Sequence, residues 1–297
     1  MPTLIFGTFN IASANIRNAL EIGIKAGYRH IDTASIYGNE DAIGDALQDF
    51  INSGKISRKE LYIIGKPWLT HHRDIRPACI NSLSRLKLSY FGQYLLHWPL
   101  SLKPDGKDPP VFSPSKDLSL VDYYPLYKIW EQMEKLQDEG LVKSIGVSNF
   151  TIALLQDMLG YSRIKPETNE IEISIFNPQH ELVDFCHLHK IVPLGYRVIY
   201  NPINDSLSKF KKCALEDQVV IDLSRKYHVD PAQLLIAWCL ARNCGVIVKS
   251  ETPKRIIGNF EAQKLILEKE DIEKLSSVTT NGVYCDPYES FGIHLLK

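Results

Sequence analysis

Tyr28-Arg29-His30-Ile31-Asp32 decides how the chain is read: a short strand-like run closes on a carboxylate, and a helical stretch follows a few positions later. The pattern recurs. Leu61-Tyr62-Ile63-Ile64-Gly65 precedes Lys66, Tyr94-Leu95-Leu96 precedes His97, and Ser144-Ile145-Gly146-Val147 precedes Ser148-Asn149. Ile191-Val192-Pro193-Leu194-Gly195 then leads to Tyr196, and Gly245-Val246-Ile247-Val248 to Lys249. Amphipathic stretches separate these runs. After Ser13, apolar residues at Ile16, Ala19, Leu20 and Ile24 form a helical stripe that stops at Gly27. The same spacing recurs from Glu40 to Phe50, Ile75 to Leu88, Leu126 to Leu136, Leu182 to His189 and Asp217 to Tyr227, and in a helix with Pro231 in its first turn that runs to Arg242. Strand and helix in strict alternation predict one α/β domain over residues 1–297, a (β/α)8 TIM barrel.

In such a barrel the carboxyl ends of the strands converge on one face, where catalytic groups are kept. Asp32, Lys66 and His97 fall there, and Tyr37 lies just beyond. Singly, each has an ordinary explanation: Tyr37 as packing, Asp32 as a helix cap, Lys66 as surface charge, His97 as a satisfied core histidine. Ser101 to Tyr124 is a long connection with Pro104, Asp105-Gly106, Pro109-Pro110 and Pro114. A loop of that length is usually functional or disordered; directly after His97, it is expected to overhang the site. A second loop, about 281–297, carries Tyr284, Cys285, Tyr288 and Phe291 and is expected to fold over the same face.

Composition narrows the function classes. A formal net charge of −1 gives no bulk attraction to nucleic acid or an anionic membrane, so any anion site is local. No apolar run reaches the roughly 18 residues of a membrane span, and the first residues lack a signal-peptide pattern; a cytoplasmic monomer is the expectation. Cys79, Cys186, Cys213, Cys239, Cys244 and Cys285 show no paired spacing and are expected to be reduced structural thiols. His71-His72 and the Cys186, His187, His189 group are read as helix surface rather than metal ligands.

Gly27-Tyr-Arg-His-Ile-Asp-Thr-Ala-Ser-Ile-Tyr-Gly-Asn-Glu40, Leu95-Leu-His-Trp-Pro99, Gly140-Leu-Val-Lys-Ser-Ile-Gly-Val-Ser-Asn-Phe150 and Val248-Lys-Ser-Glu-Thr-Pro-Lys-Arg255 together resemble the aldo-keto reductases, particularly the aldose reductase and aldehyde reductase branch. The resemblance runs from residue 2 to about 280 with every motif in order. It implies NADPH-dependent reduction of a small-molecule carbonyl, aldehyde or ketone, through the tetrad Asp32, Tyr37, Lys66 and His97. The chemistry agrees. Tyrosine, with an ordinary pKa near 10, exchanges protons at neutral pH only if a cation such as Lys66 favours its anion. Asp32 would hold Lys66, and a neutral His97 would direct the substrate oxygen.

By the same resemblance, Ser148 and Asn149 bind the nicotinamide carboxamide and Tyr196 stacks on the ring. Lys249, Ser250, Arg255 and Asn259 surround the adenosine 2′-phosphate of NADPH/NADP+, and Phe9, Trp68 and Trp98 line the substrate pocket. No metal is implied, and no Gly-x-Gly-x-x-Gly fingerprint occurs.

Departures from the family pattern are specific. Glu170 stands where glutamine meets the nicotinamide, Arg197 where a serine contacts pyrophosphate, and Gly258 where an acid meets adenine. Phe9 replaces a tryptophan, and the N-terminal hairpin that usually closes the barrel bottom is expected to be absent. Glu170, if ionised, would accept hydrogen bonds but not donate them, unless Arg197 neutralises it. Two other readings remain: an NADPH-binding redox-sensing subunit of the same fold with little turnover, and a metal-dependent barrel lyase.

Overall fold

Strands walled by a barrel interior on one face and by helices on the other read as continuous apolar runs, and this chain places one after nearly every helix. The computed structural model describes residues 4–202, 207–280 and 282–295. Its strands are β1 (Leu4–Gly7), β2 (His30–Asp32), β3 (Tyr62–Gly65), β4 (Phe91–Leu96), β5 (Ser101–Leu102), β6 (Val121–Asp122), β7 (Val142–Ser148), β8 (Thr168–Glu172), β9 (Val192–Tyr196) and β10 (Gly245–Val248). The helices are α1 (Ser13–Ala26), α2 (Glu40–Asn52), α3 (Ile75–Leu86), α4 (Leu126–Asp138), α5 (Ile152–Tyr161), α6 (His180–Leu188), α7 (Gln218–Tyr227), α8 (Pro231–Ala241), α9 (Pro253–Glu261), α10 (Lys269–Ser276) and α11 (Pro287–Phe291). Eight strands close a parallel barrel in the order β1-β10-β9-β8-β7-β4-β3-β2, and β1 pairs with both β10 and β2.

The helix boundaries follow local chemistry. In α1 the stripe Ile16, Ala19, Leu20 and Ile24 is buried. Gly27 ends it at φ 120°, with its N–H donating to the carbonyls of Gly23 and Ile24, a backbone conformation that side chains rarely allow. At α8, Asp230 and Gln233 form a reciprocal capping box ahead of Pro231. The segment 168–172 is a barrel strand that the apolar patterning does not announce, because Thr168-Asn169-Glu170-Ile171-Glu172 is largely polar; all five residues are buried. Within 101–124, β5 and β6 form a small antiparallel ladder, so this loop contains regular structure at its base.

Period-two alternation stacks the barrel interior in layers. Lowest is a polar group: Tyr62 Oη lies 3.0 Å from Ser144 Oγ, and Gln93 accepts from Thr168 Oγ1 at 3.1 Å. Above it Ile5, Ile64, Leu95 and Leu194 form an apolar plug. Two residues further along their strands come Lys66, His97 and Tyr196, beside Asp32, Ser148 and Glu170.

The plug fits because Gly146 has no side chain: a Cβ there would stand 2.5 Å from Thr168 Oγ1 and 2.7 Å from Leu95 Cδ2. Gly146→Ala is therefore expected to cost about 1–3 kcal/mol through overpacking, read as a lower urea midpoint. An unchanged midpoint would show that the interior yields at this layer.

Candidate active site

A buried ammonium is costly unless anions meet it. The Lys66 side chain has 0% exposure, and its Nζ forms an ion pair with Asp32 Oδ1, lies 3.2 Å from Glu170 Oε1 and donates to Tyr37 Oη at 3.4 Å. Three elements supply these partners. Asp32 ends β2 next to β3, Glu170 lies on β8, and Tyr37 sits on a single 3-10 turn, Ser35–Tyr37. The turn is fixed from both sides, by Ser35 N–H donating to the Lys66 carbonyl at 3.1 Å and by buried Asn39 donating to the carbonyls of Thr8 and Ile11.

Burial is the largest influence on Lys66 and opposes its charge, but Asp32, Glu170 and Tyr37 outweigh it, and the ammonium is held above its ordinary pKa. Tyr37 moves up as well. Burial is again the main cause, Asp32 and Glu170 add to it, and Lys66 only moderates the rise. Lys66 thus pulls the phenol down, as expected of a neighbouring cation, but burial outweighs it and in the free protein Tyr37 keeps its proton. His97 is pushed well below the usual histidine range by burial, then by Lys66 and His72, so it is neutral. Its ring stands edge-on to Tyr37 at 5.9 Å and to Trp68 at 5.4 Å.

The residues expected to hold a nicotinamide are tied together. Asn149 donates to the His97 carbonyl at 2.9 Å and to Ser148 Oγ at 3.0 Å, and Tyr196 Oη donates to Asn149 Oδ1 at 2.6 Å. Glu170 does pair with a neighbouring cation, and its described partner is Lys66 rather than Arg197. Arg197, at φ 59°, lays its guanidinium 4.4 Å from the centroid of Tyr200. Glu170 Oε2 is buried with no hydrogen-bond donor.

At the rim, Lys249 is exposed and pairs with Glu251 at 3.4 Å, Ser250 Oγ accepts from Thr252 N–H, and Asn259 is buried. Arg255 is exposed and makes no ion pair among the described residues. A buried polar ring with a spare acceptor, and cations at the rim, form a donor and acceptor set that fits a nicotinamide cofactor. Gln233 Nε2 donates to the Gly258 carbonyl at 3.0 Å.

Around the mouth, Trp68, Trp98 and Phe291 form a second apolar cluster with Leu69, Leu100 and Val121. Phe112 meets Trp68 edge-on at 5.8 Å, an aromatic contact that the turn-rich loop sequence did not mark. Phe9 is 50% exposed and packs on Tyr37 at 5.1 Å. Among the described residues no group of three His, Cys, Asp or Glu side chains could hold a metal ion. His71 lies in a 3-10 turn, and His72 follows it, with its ring hydrogen-bonded to Ser101 Oγ.

A sequence model of the Aldo/keto reductase family matches residues 3–280. The aldehyde reductase YPR1 of Saccharomyces cerevisiae is 37% identical over 287 residues, covering 94% of this chain and 88% of that protein. The NADP-dependent D-sorbitol-6-phosphate dehydrogenase of Malus domestica is 31% identical over 295 residues, covering 99% and 95%. The solved structure of aldose reductase from Giardia lamblia superposes with a TM-score of 0.88 at 32% identity, covering 100% of this chain and 99% of that one.

A residue that the sequence reading passed over fixes the cover of the site. Glu172, at the end of β8, accepts the backbone N–H groups of Tyr284 at 2.8 Å and Cys285 at 2.7 Å. The C-terminal segment then meets the loop after His97 through Ser115 N–H to the Ser290 carbonyl at 3.0 Å and Lys116 to Glu289 at 3.2 Å. Asn281, Leu296 and Lys297 of the expected cover lie outside the described residues. Glu172→Ala leaves two amides without an acceptor and is expected to cost about 1.5–3 kcal/mol for each charge-assisted bond that water does not replace. Hydrogen exchange at Tyr284 and Cys285 should accelerate while the barrel strands stay protected; uniform acceleration would mean that the carboxylate supports the whole fold instead.

Proposed function

This chain belongs to the aldo/keto reductase family, oxidoreductases that reduce carbonyl groups with a nicotinamide cofactor, and on that premise we propose that it uses NADPH to convert aldehydes or ketones to alcohols, with Tyr37 as proton donor. The observation that carries this reading is the placement of a protonated phenol 3.4 Å from a fully buried ammonium and edge-on to a neutral imidazole.

When bound, the cofactor supplies the hydride that no side chain can. Ser148, Asn149, Glu170 and Tyr196 would hold its nicotinamide end, Arg197 would approach the pyrophosphate, and Lys249, Ser250, Arg255 and Asn259 would take the 2′-phosphate. A monoester phosphate carries up to two charges, so paired cations favour NADPH over NADH. Phe9, Trp68 and Trp98 would then wall in the organic part of the substrate, suiting aldehydes with apolar or compact bodies.

His97, neutral, offers an N–H to the carbonyl oxygen. As that oxygen gains negative charge it becomes far more basic than a phenolate, and Tyr37 transfers its proton to it. The phenolate left behind faces Lys66, whose position Asp32 secures. Tyr37 is held above its ordinary pKa, so its own ionisation does not limit reduction at neutral pH. The reading takes the enzyme as a cytoplasmic monomer, which sedimentation and cell fractionation would check.

Tyr37→Phe is expected to abolish reduction of an aldehyde panel while NADPH affinity, read by fluorescence, stays within a few-fold. Substantial turnover by that variant would remove Tyr37 from the proton-donor role. Lys249→Met combined with Arg255→Leu should cost NADPH binding about 2–4 kcal/mol, on the scale of hydrogen bonds to charged groups, and leave NADH nearly unaffected. Equal losses for the two cofactors would show that these cations do not read the 2′-phosphate.

A further inference from the structure

Lys66 is flanked by two carboxylates where the proton relay needs one. Its Nζ is paired with Asp32 and stands 3.2 Å from Glu170 Oε1, in a setting with no water-exposed lysine surface. Were both acids ionised, the cluster would carry a net negative charge in a low-dielectric interior beside the Tyr37 hydroxyl; like charges so placed do not both ionise readily. The bonding points the same way. Glu170 Oε2 is buried and has no N–H or O–H to accept from, while Asp32 Oδ1 and Glu170 Oε1 crowd the same ammonium from opposite strands. Carboxyls so placed can hydrogen-bond to each other only if one of the two holds a proton.

We propose that Glu170 is a positioning residue of the relay: in the resting protein it holds a proton shared with Asp32, leaving Lys66 one net counter-charge, and loss of that proton weakens the support that Lys66 gives to Tyr37. β2 presents Asp32, β3 Lys66, the 3-10 turn Tyr37 and β9 Tyr196, while β7 offers only the Ser148 hydroxyl and backbone, and His97 beyond β4 is neutral. Burial, with the Asp32 charge second, pushes Glu170 up to about 8 against the opposing pull of Lys66.

Two consequences follow. Below that pH the side chain has an O–H donor and a C=O acceptor, the same donor and acceptor set as glutamine, so it resembles an amide rather than the accept-only carboxylate that the sequence suggested. Above it, two carboxylates share one ammonium, and the added negative charge raises the phenol further and makes it a poorer donor. The second consequence rests on the reading of the site as carbonyl-reducing; the first does not.

Infrared difference spectra of the cofactor-free protein, titrated from about pH 6 to about pH 10, separate the two. The wild type should lose a buried protonated-carboxyl band with a midpoint near the value given for Glu170, and Glu170→Gln should lack that step. Glu170→Asp keeps a carboxyl but withdraws it by one methylene, and should move the midpoint downward. In parallel, kcat for aldehyde reduction should fall several-fold between about pH 7 and about pH 9.5 in the wild type and stay level in Glu170→Gln, with KM little changed. A wild-type spectrum without the band, or the same step in Glu170→Gln, overturns the proposal. Protein that shows the band but reduces no carbonyl would overturn the functional reading and leave the shared proton in place.

Discussion

One ammonium without access to water organises this molecule. Removing a lysine from solvent costs several kcal/mol after relaxation, and the chain meets that cost with anions delivered from separate strands. Asp32 reaches Lys66 because β2 and β3 are neighbours in parallel register, and Glu170 reaches it from β8 on the other side of the mouth. The apolar plug of Ile5, Ile64, Leu95 and Leu194 lies directly beneath. It closes the barrel to water from below and keeps the local dielectric low. Packing and chemistry are therefore coupled: the same layer that stabilises the interior gives each charge above it its force.

Much of this was legible because strand ends carry chemistry and strand middles do not. Asp32, Lys66, His97, Ser148, Tyr196 and Lys249 each end an apolar run, and the fold places each at or just beyond the carboxyl end of a barrel strand. Helix limits were readable where local signals act alone, as at Gly27 and Pro231. What escaped the sequence needed tertiary knowledge. β8 lacks apolar continuity because Thr168, Glu170 and Glu172 face the interior, so a hydrophobicity pattern passes over it. The Glu170–Lys66 contact joins residues more than a hundred positions apart, and no spacing rule connects them. The rise of the Tyr37 pKa is likewise a sum over burial and two carboxylates, and only the cation could be argued from the motif.

The cover of the site obeys a different constraint. A long loop and a C-terminal segment bury few apolar groups of their own, and each borrows stability from the other. Phe291 is buried against Trp68 and Trp98, Ser115 and Ser290 join their backbones, and Glu172 anchors the incoming segment by two amides. The anchor belongs to β8, the strand that also carries Glu170. The cover is thus tied to the strand that also supplies a carboxyl to Lys66.

The same charge pairing serves opposite ends at the two depths of the site. At the rim, Lys249 rests against Glu251 with both side chains about a third exposed, and Asn15 donates to that glutamate at 2.7 Å. An exposed pair of this kind contributes roughly 0–1 kcal/mol, so on the proposed reading a phosphate would displace the glutamate at little cost. Lys249 is kept oriented by a partner it can exchange. Lys66 has no such freedom: with no exposure, loss of its net counter-charge would leave an ammonium that water cannot reach. If the proposed function holds, a site that admits and releases a charged ligand while holding a fixed proton donor needs both regimes. Depth along the barrel axis, rather than residue type, separates the exchangeable lysine from the permanent one.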